Sequence, residues 1–209
     1  MKQKNLNLEN FPGGLRIKTS IDIQLQKELL RYLRSSAMED VTKNNGMKNN
    51  AVLLIDNANR KPLVWIGSRD FWDEKISGQV DLLTSLRQTG SAIKPFIFAA
   101  FFEKGFGPLT TMWDTRVTFN GDSKIIQNSD GRYLGNVPAN ISLTHSRNVP
   151  AAQALYLAGG ESKVKNFLDN AFGFEIQKNH KNHGFGWSLA LGTAPIALKN
   201  LANGFATLS

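Results

Sequence analysis

Ser91 and Lys94 are the first residues in this sequence whose types and spacing could do chemistry. At positions i and i+3 of a helix two side chains project from the same face, so the lysine amine can reach the serine hydroxyl. A serine hydroxyl is a weak nucleophile until a neighbouring base takes its proton, and a lysine can be that base if burial lowers its pKa. The apolar residues Ile93 and 96–98 supply such surroundings, whereas a helix-capping serine beside a surface lysine is the alternative interpretation.

A second pair of candidates, Ser146 and Asn148, lies further along the chain in Ser146-Arg147-Asn148. A loop hydroxyl can relay a proton, and a loop amide can hydrogen-bond both a substrate backbone and the lysine amine. The alternative is structural, because an asparagine before Val149-Pro150 is a good N-cap for a following helix. Taken singly, neither pair decides between the two interpretations.

Helices are the elements that must position both pairs. Residues 91–102 are strongly apolar, and Pro95 is tolerated only near a helix start, so this predicted helix begins close to Ser91. Residues 138–144 and 150–157 predict two further helices, with Asn148 as the N-cap of the second. The second pair therefore lies in a loop between two helices.

The remaining elements are predicted from periodicity and turn formers. They are a helix from Asp22 to Ser35 with Leu25, Leu29 and Leu33 on one face, a loop over 42–50, a hairpin of strands 51–55 and 63–66, an irregular crossing loop over 69–89, and helices over 163–172 and 195–208. The sequence predicts only these two strands, because only they have a clear β-prone run.

The two candidate pairs follow the order S-x-x-K and then S-D-N that is typical of serine β-lactamases and penicillin-binding proteins, with arginine here in place of the aspartate of class A β-lactamases. Longer stretches extend the likeness. Residues 13–22, followed by Leu25-Gln26, resemble the segment that leads into the transpeptidase domain of class A penicillin-binding proteins, and residues 87–96 resemble the nucleophile motif of that domain with its flanks.

The likeness continues over nearly the whole chain, from about residue 13 to residue 209. Asn128, Gly135 and residues 146–151 are similar to the approach to the second motif of the family, and residues 188–193 resemble the segment after it. Residues 78–81, Gly-Gln-Val-Asp, are similar to the penicillin-binding protein 1C branch of the family.

This resemblance implies an α+β fold of the β-lactamase and transpeptidase type, an antiparallel sheet flanked by helices with an α-helical subdomain. The active site would lie between the sheet and the subdomain. By the same likeness, residues 1–18 are a linker that leads into the domain, and residues 19–209 are the N-terminal portion of a penicillin-binding transpeptidase domain.

The reaction implied by the resemblance is acyl transfer between peptidoglycan stem peptides outside the cytoplasm, in the periplasm or at the outer face of the inner membrane. Ser91 would attack the D-Ala-D-Ala amide, Lys94 would be the general base, Ser146 would relay the proton to the leaving amine, and Asn148 would orient the substrate and the lysine. β-Lactam antibiotics would acylate Ser91 as substrate mimics, and no cofactor is implied.

One family motif is missing, since K-[ST]-G occurs nowhere in the 209 residues. In the family this motif lies on a strand that forms one wall of the cleft, so we expect a truncated domain that lacks the C-terminal part of its sheet. Such a chain would be weakly active or inactive until a glycosyltransferase domain or another chain completed the sheet. A serine β-lactamase and a non-catalytic remnant or binding module of the same fold remain as alternatives.

Composition excludes several other classes of protein. The net charge of +8 favours anionic partners, but the lysines and arginines are scattered and no nucleic-acid motif accompanies them, so we expect no nucleic-acid binding. With no cysteine, and with His180 and His183 lacking a third ligand nearby, we predict no metal site. No stretch reaches the roughly 18 apolar residues that a membrane span needs, and no signal segment is recognised.

Overall fold

The structure is a computed structural model that describes residues 16–118, 125–177 and 184–209. It combines helices with short antiparallel strands, so the predicted α+β class is confirmed. Within the described residues the strands pair two by two instead of forming one central sheet. The pairs are β1 (Val52–Ile55) with β2 (Pro62–Ile66), β3 (Leu86–Gln88) with β6 (Pro195–Ala197), and β4 (Thr111–Asp114) with β5 (Gly135–Pro138).

The N-terminal helix, α1 (Ile23–Leu33), lies where its leucine periodicity predicts it. The Asp22 carboxylate accepts hydrogen bonds from the backbone N–H groups of Gln24 and Leu25, at 3.0 and 3.1 Å, and caps the helix. Its apolar face packs on the predicted hairpin, where Leu33 contacts the buried side chains of β2.

A second helix, α2 (Ser36–Asn44), was not predicted. Its sequence is mostly polar, and it is held by Met38, which packs on the cluster of Leu33 and β2, and by local polar contacts. Ser35 caps its first turn, and Lys43 forms an ion pair with Glu39 at 3.0 Å, one helical turn away. The loop predicted from residue 42 therefore begins after the helix ends.

The central helix, α3 (Lys94–Phe102), follows a 3₁₀ turn over Gly90–Ile93. Pro95 occupies its second position, where a missing backbone N–H costs nothing. The helix is buried nearly all round, and the ring of Phe96 meets those of Phe172, Phe174 and Phe205 edge-on, with centroids 4.7 to 4.9 Å apart. The core of the domain is thus built around the helix that carries the first candidate pair.

The helices after α3 are α4 (Ala139–Thr144), α5 (Asn148–Leu157), α6 (Gly160–Phe172) and α7 (Leu198–Leu208), and α5 and α6 pack directly on α3. The prediction that Asn148 is an N-cap is wrong, because Arg147 occupies the cap position and Asn148 is the first helical residue. The last helix was predicted from residue 195, but residues 195–197 form β6 and the helix begins at Leu198. No helix in the described ranges is long and apolar enough to cross a membrane.

Candidate active site

Ser91 lies on the exposed 3₁₀ turn that leads into α3. The strands β3 and β6, which pair next to this turn, bring Gly192 against Gly90. The Gly90 N–H donates to the Gly192 carbonyl at 3.3 Å. Gly192 has a φ of +76°, and a Cβ at this position would lie 2.1 Å from the Gly90 carbonyl oxygen. The residue before the candidate nucleophile is thus fixed by a contact that only glycine permits.

The side chain of Lys94 is buried, with 1% of the residue exposed. Its amine donates to three oxygen atoms of the loop between α4 and α5: the Ser146 carbonyl at 2.6 Å, the Asn148 amide oxygen at 2.7 Å and the Ser146 hydroxyl at 3.1 Å. Three acceptors match the three N–H groups of a charged ammonium. Within the described part of the chain, no hydrogen bond joins this amine to the Ser91 hydroxyl.

The surroundings of Lys94 favour its neutral form. Burial, followed by the nearby positive charge of Arg147, lowers the pKa of Lys94 from 10.5 to about 8. At pH 7 roughly one molecule in ten would then carry the free amine. Because a neutral amine has two N–H groups and a lone pair, it must release one of its three acceptors or accept a hydrogen bond from the Ser146 hydroxyl.

Ser146 is held in an unusual backbone conformation. Its φ is +52°, the left-handed region that non-glycine residues rarely adopt. The residue ends α4, where the N–H of Ser146 donates to the Leu143 carbonyl and that of Arg147 to the Ser142 carbonyl, both at 2.9 Å. These two bonds define a Schellman motif with serine in the position where glycine is usual. The left-handed turn points the Ser146 carbonyl at the Lys94 amine.

The amide of Asn148 has a defined orientation. Its nitrogen donates to the Gln127 carbonyl at 2.7 Å, so its oxygen faces Lys94. Its backbone N–H donates to the side-chain oxygen of buried Asn128, also at 2.7 Å. Asn128 in turn donates to Asp114 at 2.7 Å. A chain of polar contacts therefore fixes the candidate substrate-binding amide from the end of β4.

The structure therefore brings Lys94, Ser146 and Asn148 into direct contact and places Ser91 one helical turn away on the same segment. Chemically, the arrangement offers an exposed hydroxyl three residues before a buried amine, and that amine is hydrogen-bonded to a second hydroxyl. No group of three or more metal-ligating side chains occurs in the described residues. His180 and His183 lie outside them.

Comparison with known proteins identifies the family. The profile described as the penicillin binding protein transpeptidase domain matches residues 50–201. This chain belongs to the penicillin-binding protein transpeptidase family. The match contains both candidate pairs and the strands that support them.

The curated relatives of this transpeptidase-family chain are bacterial class A proteins. It is 28% identical over 109 residues to penicillin-binding protein 1C of Escherichia coli, covering 52% of this chain, and 32% identical over 125 residues to penicillin-binding protein 1A of Haemophilus influenzae, covering 58%. Relatives of both the 1A and the 1C type therefore match. The chain spans 14% of the length of each of these two relatives.

Solved structures show the same fold. Penicillin-binding protein 1A of H. influenzae aligns over 76% of this chain and 23% of its own, with a TM-score of 0.64 and 28% identity. The penicillin-binding protein PonA1 of Mycobacterium tuberculosis aligns over 98% of this chain and 52% of its own, with a TM-score of 0.73 and 23% identity. The described fold is thus that of penicillin-binding transpeptidase domains.

Sequence reasoning missed the polar residues beneath the transpeptidase motif loop, Asp114 among them. Asp114 is fully buried, and it follows Met112 on the inward face of β4, in a strand whose residues alternate between exposed and buried. A carboxylate at a core-facing position needs partners. The residue types of Thr111-Met-Trp-Asp114 do not alternate between polar and apolar, so the sequence held no local signal for this buried carboxylate.

Proposed function

We propose that this chain carries the nucleophile and the second-motif loop of an acyl-serine D,D-transpeptidase that acts on peptidoglycan stem peptides outside the cytoplasm. The observation that carries the proposal is the buried Lys94 amine, bound by Ser146 and Asn148 and one turn from exposed Ser91. Membership of the transpeptidase family supports the acyl-transfer chemistry.

In the first proposed step, the Ser91 hydroxyl oxygen attacks the carbonyl carbon of the D-Ala-D-Ala amide, and its proton passes to the neutral Lys94 amine. The C–N bond then breaks, and Ser146 relays the proton to the leaving D-alanine nitrogen. In the second step, an amine of a neighbouring stem peptide attacks the ester carbonyl carbon and the C–O bond to Ser91 breaks. The proton lost by the amine returns through Lys94 to the Ser91 oxygen, and a new amide is left. Asn148 would hold both the peptide backbone and the lysine.

We further propose that full activity requires a strand bearing the K-[ST]-G motif, which these 209 residues lack. A groove of about 730 Å³ lies between the start of β1 and the end of β3, lined among others by Ala51, Gln88, Thr89 and Ile196. It separates the hairpin from the strand that leads to Ser91. A strand supplied by a glycosyltransferase domain or by another chain would fit there and complete the cleft wall.

The test is covalent labelling by a fluorescent penicillin followed by intact-mass analysis. Long incubation should add one penicilloyl group, located on the peptide that contains Ser91, and Ser91→Ala should abolish it. Ser162→Ala, a matched change at an exposed serine of α6, should label like the parent chain. Labelling that survives in Ser91→Ala, or no adduct after exhaustive incubation, contradicts the proposal, whereas continuous nitrocefin hydrolysis would favour a β-lactamase.

A further inference from the structure

Arg147, the middle residue of the second-motif loop, is a buried cation directly behind the site. Only 5% of the residue is exposed. Its Nε donates to Asp114 at 2.7 Å, its Nη1 to Asp130 at 2.9 Å, and its Nη2 to the Arg132 carbonyl. All three nitrogens of the guanidinium are therefore bonded, which fixes the plane of the group and the backbone that carries it.

Asp114 ties this cation to the rest of the loop. Its carboxylate also accepts from the Asn128 amide at 2.7 Å and from the Leu134 N–H at 3.0 Å. Asn128 accepts the backbone N–H of Asn148. The same carboxylate thus anchors the loop at the side chain of Arg147 and, through Asn128, at the backbone of the next residue.

The anchored backbone is the one that binds the lysine. Arg147 lies between the Ser146 carbonyl and the Asn148 amide, the two closest acceptors of the Lys94 amine. The left-handed conformation of Ser146 is unfavourable for a non-glycine residue, so it persists only where its surroundings enforce it. The buried ion pair on the adjacent residue supplies that enforcement.

The charge of Arg147 also acts on the amine. It is the charged neighbour that lowers the pKa of Lys94, after the effect of burial. Burial by itself lowers the pKa of Arg147, but hydrogen bonds to Asp130 and Asp114 outweigh it and raise that pKa above its ordinary value, so the guanidinium stays charged. The elements around Lys94 carry further ionisable side chains, which are Asp114 at the end of β4, exposed His145 after α4, exposed Tyr156 on α5, and Glu161, Lys163, Lys165 and Asp169 on α6.

We propose that Arg147, anchored by Asp114 and Asp130, is a positioning residue that sets the Ser146 carbonyl and the Asn148 amide against the Lys94 amine and keeps a positive charge behind it, which favours the neutral base. The inference deepens the proposed function and rests on Lys94 acting as the base. Arg147 itself touches no reacting atom.

Titration of Lys94 by NMR, with ¹³C-labelled lysine in the full chain, separates the two parts of this role from simple scaffolding. The Lys94 signal is assigned by its loss in Lys94→Met. Arg147→Gln and Arg147→Lys both lose the guanidinium fork, but only the first loses the charge. We expect the pKa of Lys94 to rise from about 8 toward 10.5 in Arg147→Gln and to stay at about 8 in Arg147→Lys.

If the two variants shift the pKa of Lys94 alike, or if neither shifts it, the electrostatic role is overturned. A further variant, Asp130→Asn, guards against loss of folding, because the Asp130 side chain is 47% exposed. Removing this carboxylate leaves more of the Arg147 charge uncompensated, so at low ionic strength the pKa of Lys94 should fall below about 8. A rise or an unchanged value contradicts the proposal.

Acylation by fluorescent penicillin supplies the second readout. Because Arg147 acts by placing the loop, Arg147→Lys should acylate more slowly than the parent chain while keeping its pH profile, whereas Arg147→Gln should move the profile to higher pH. A profile that is identical in both variants overturns the inference. If labelling does not depend on Ser91, the proposed function fails, and the NMR titration still decides whether Arg147 sets the pKa of Lys94.

Discussion

The amine of Lys94 and the carbonyl oxygen of Ser146 lie 2.6 Å apart, although 52 positions separate the two residues in the chain. This contact joins the first turn of the central helix to the left-handed end of α4. Because this carbonyl belongs to the backbone, a substitution at position 146 can remove the hydroxyl or change the strain of the turn while the hydrogen bond to the carbonyl is kept.

Acylation should depend on the free Lys94 amine. Since the pKa of Lys94 is lowered to about 8, the rate constant for acylation by a fluorescent penicillin should rise about tenfold per pH unit below this value and level off above it. Labelling reactions quenched at fixed times between pH 5.5 and 9.5 measure how the acylation rate constant depends on pH. A rate that is flat between pH 6 and 8 would mean that another group is the base.

Lys94 should also make stability depend on pH. Its pKa is lower in the folded chain than the ordinary value, so between pH 8 and 10.5 the unfolded chain binds more protons, and folding gains stability as pH rises through that window. The free energy of unfolding should rise by roughly 2–3 kcal/mol across this window, because burial of the amine lowers its pKa from 10.5 to about 8. Urea unfolding of the parent chain and of Lys94→Met at both ends of the window measures this change. If the difference in free energy of unfolding between the two chains does not change with pH, the lowered pKa of Lys94 is contradicted.

Two substitutions at Ser146 should separate its hydroxyl from its backbone. Both Ser146→Ala and Ser146→Gly remove the hydroxyl, so both should slow acylation, but glycine relieves the left-handed strain at φ +52°. We expect the glycine variant to be about 1 kcal/mol more stable than the alanine variant. Thermal unfolding compares the two, and an alanine variant of equal or greater stability would show that the turn is not strained.

Gly192 should tolerate no side chain. In Gly192→Ala the new methyl would lie 2.1 Å from the Gly90 carbonyl oxygen, so the turn before Ser91 must move. We expect the free energy of unfolding to fall by roughly 2–4 kcal/mol. Acylation should be lost as well. Gly107→Ala is the matched control, because nothing lies within 4 Å of a Cβ there. Equal effects of the two changes on unfolding and labelling would argue against this contact.

Sequence by itself located the residues whose relation is local. Ser91 lies on the 3₁₀ turn that leads into α3, and Lys94 begins that helix, close to the predicted start. The leucines of α1 repeat along one face, and the turn formers after residue 55 join β1 to β2, as predicted. Such features depend on spacing along a single element, and helical or strand periodicity fixes that spacing. The order of the two motifs likewise pointed to the family.

Tertiary structure alone decided what meets across the chain. It decided between the two predicted roles of Asn148, which accepts from Lys94 and does not cap α5, and it placed buried Asp114 beneath Arg147. It also paired β3 with β6 and β4 with β5, strands of three or four residues without a strong local pattern. The physical reason is that burial decides these contacts: a lysine or aspartate must find partners once water is removed, and only the packed fold determines which groups lose their water together.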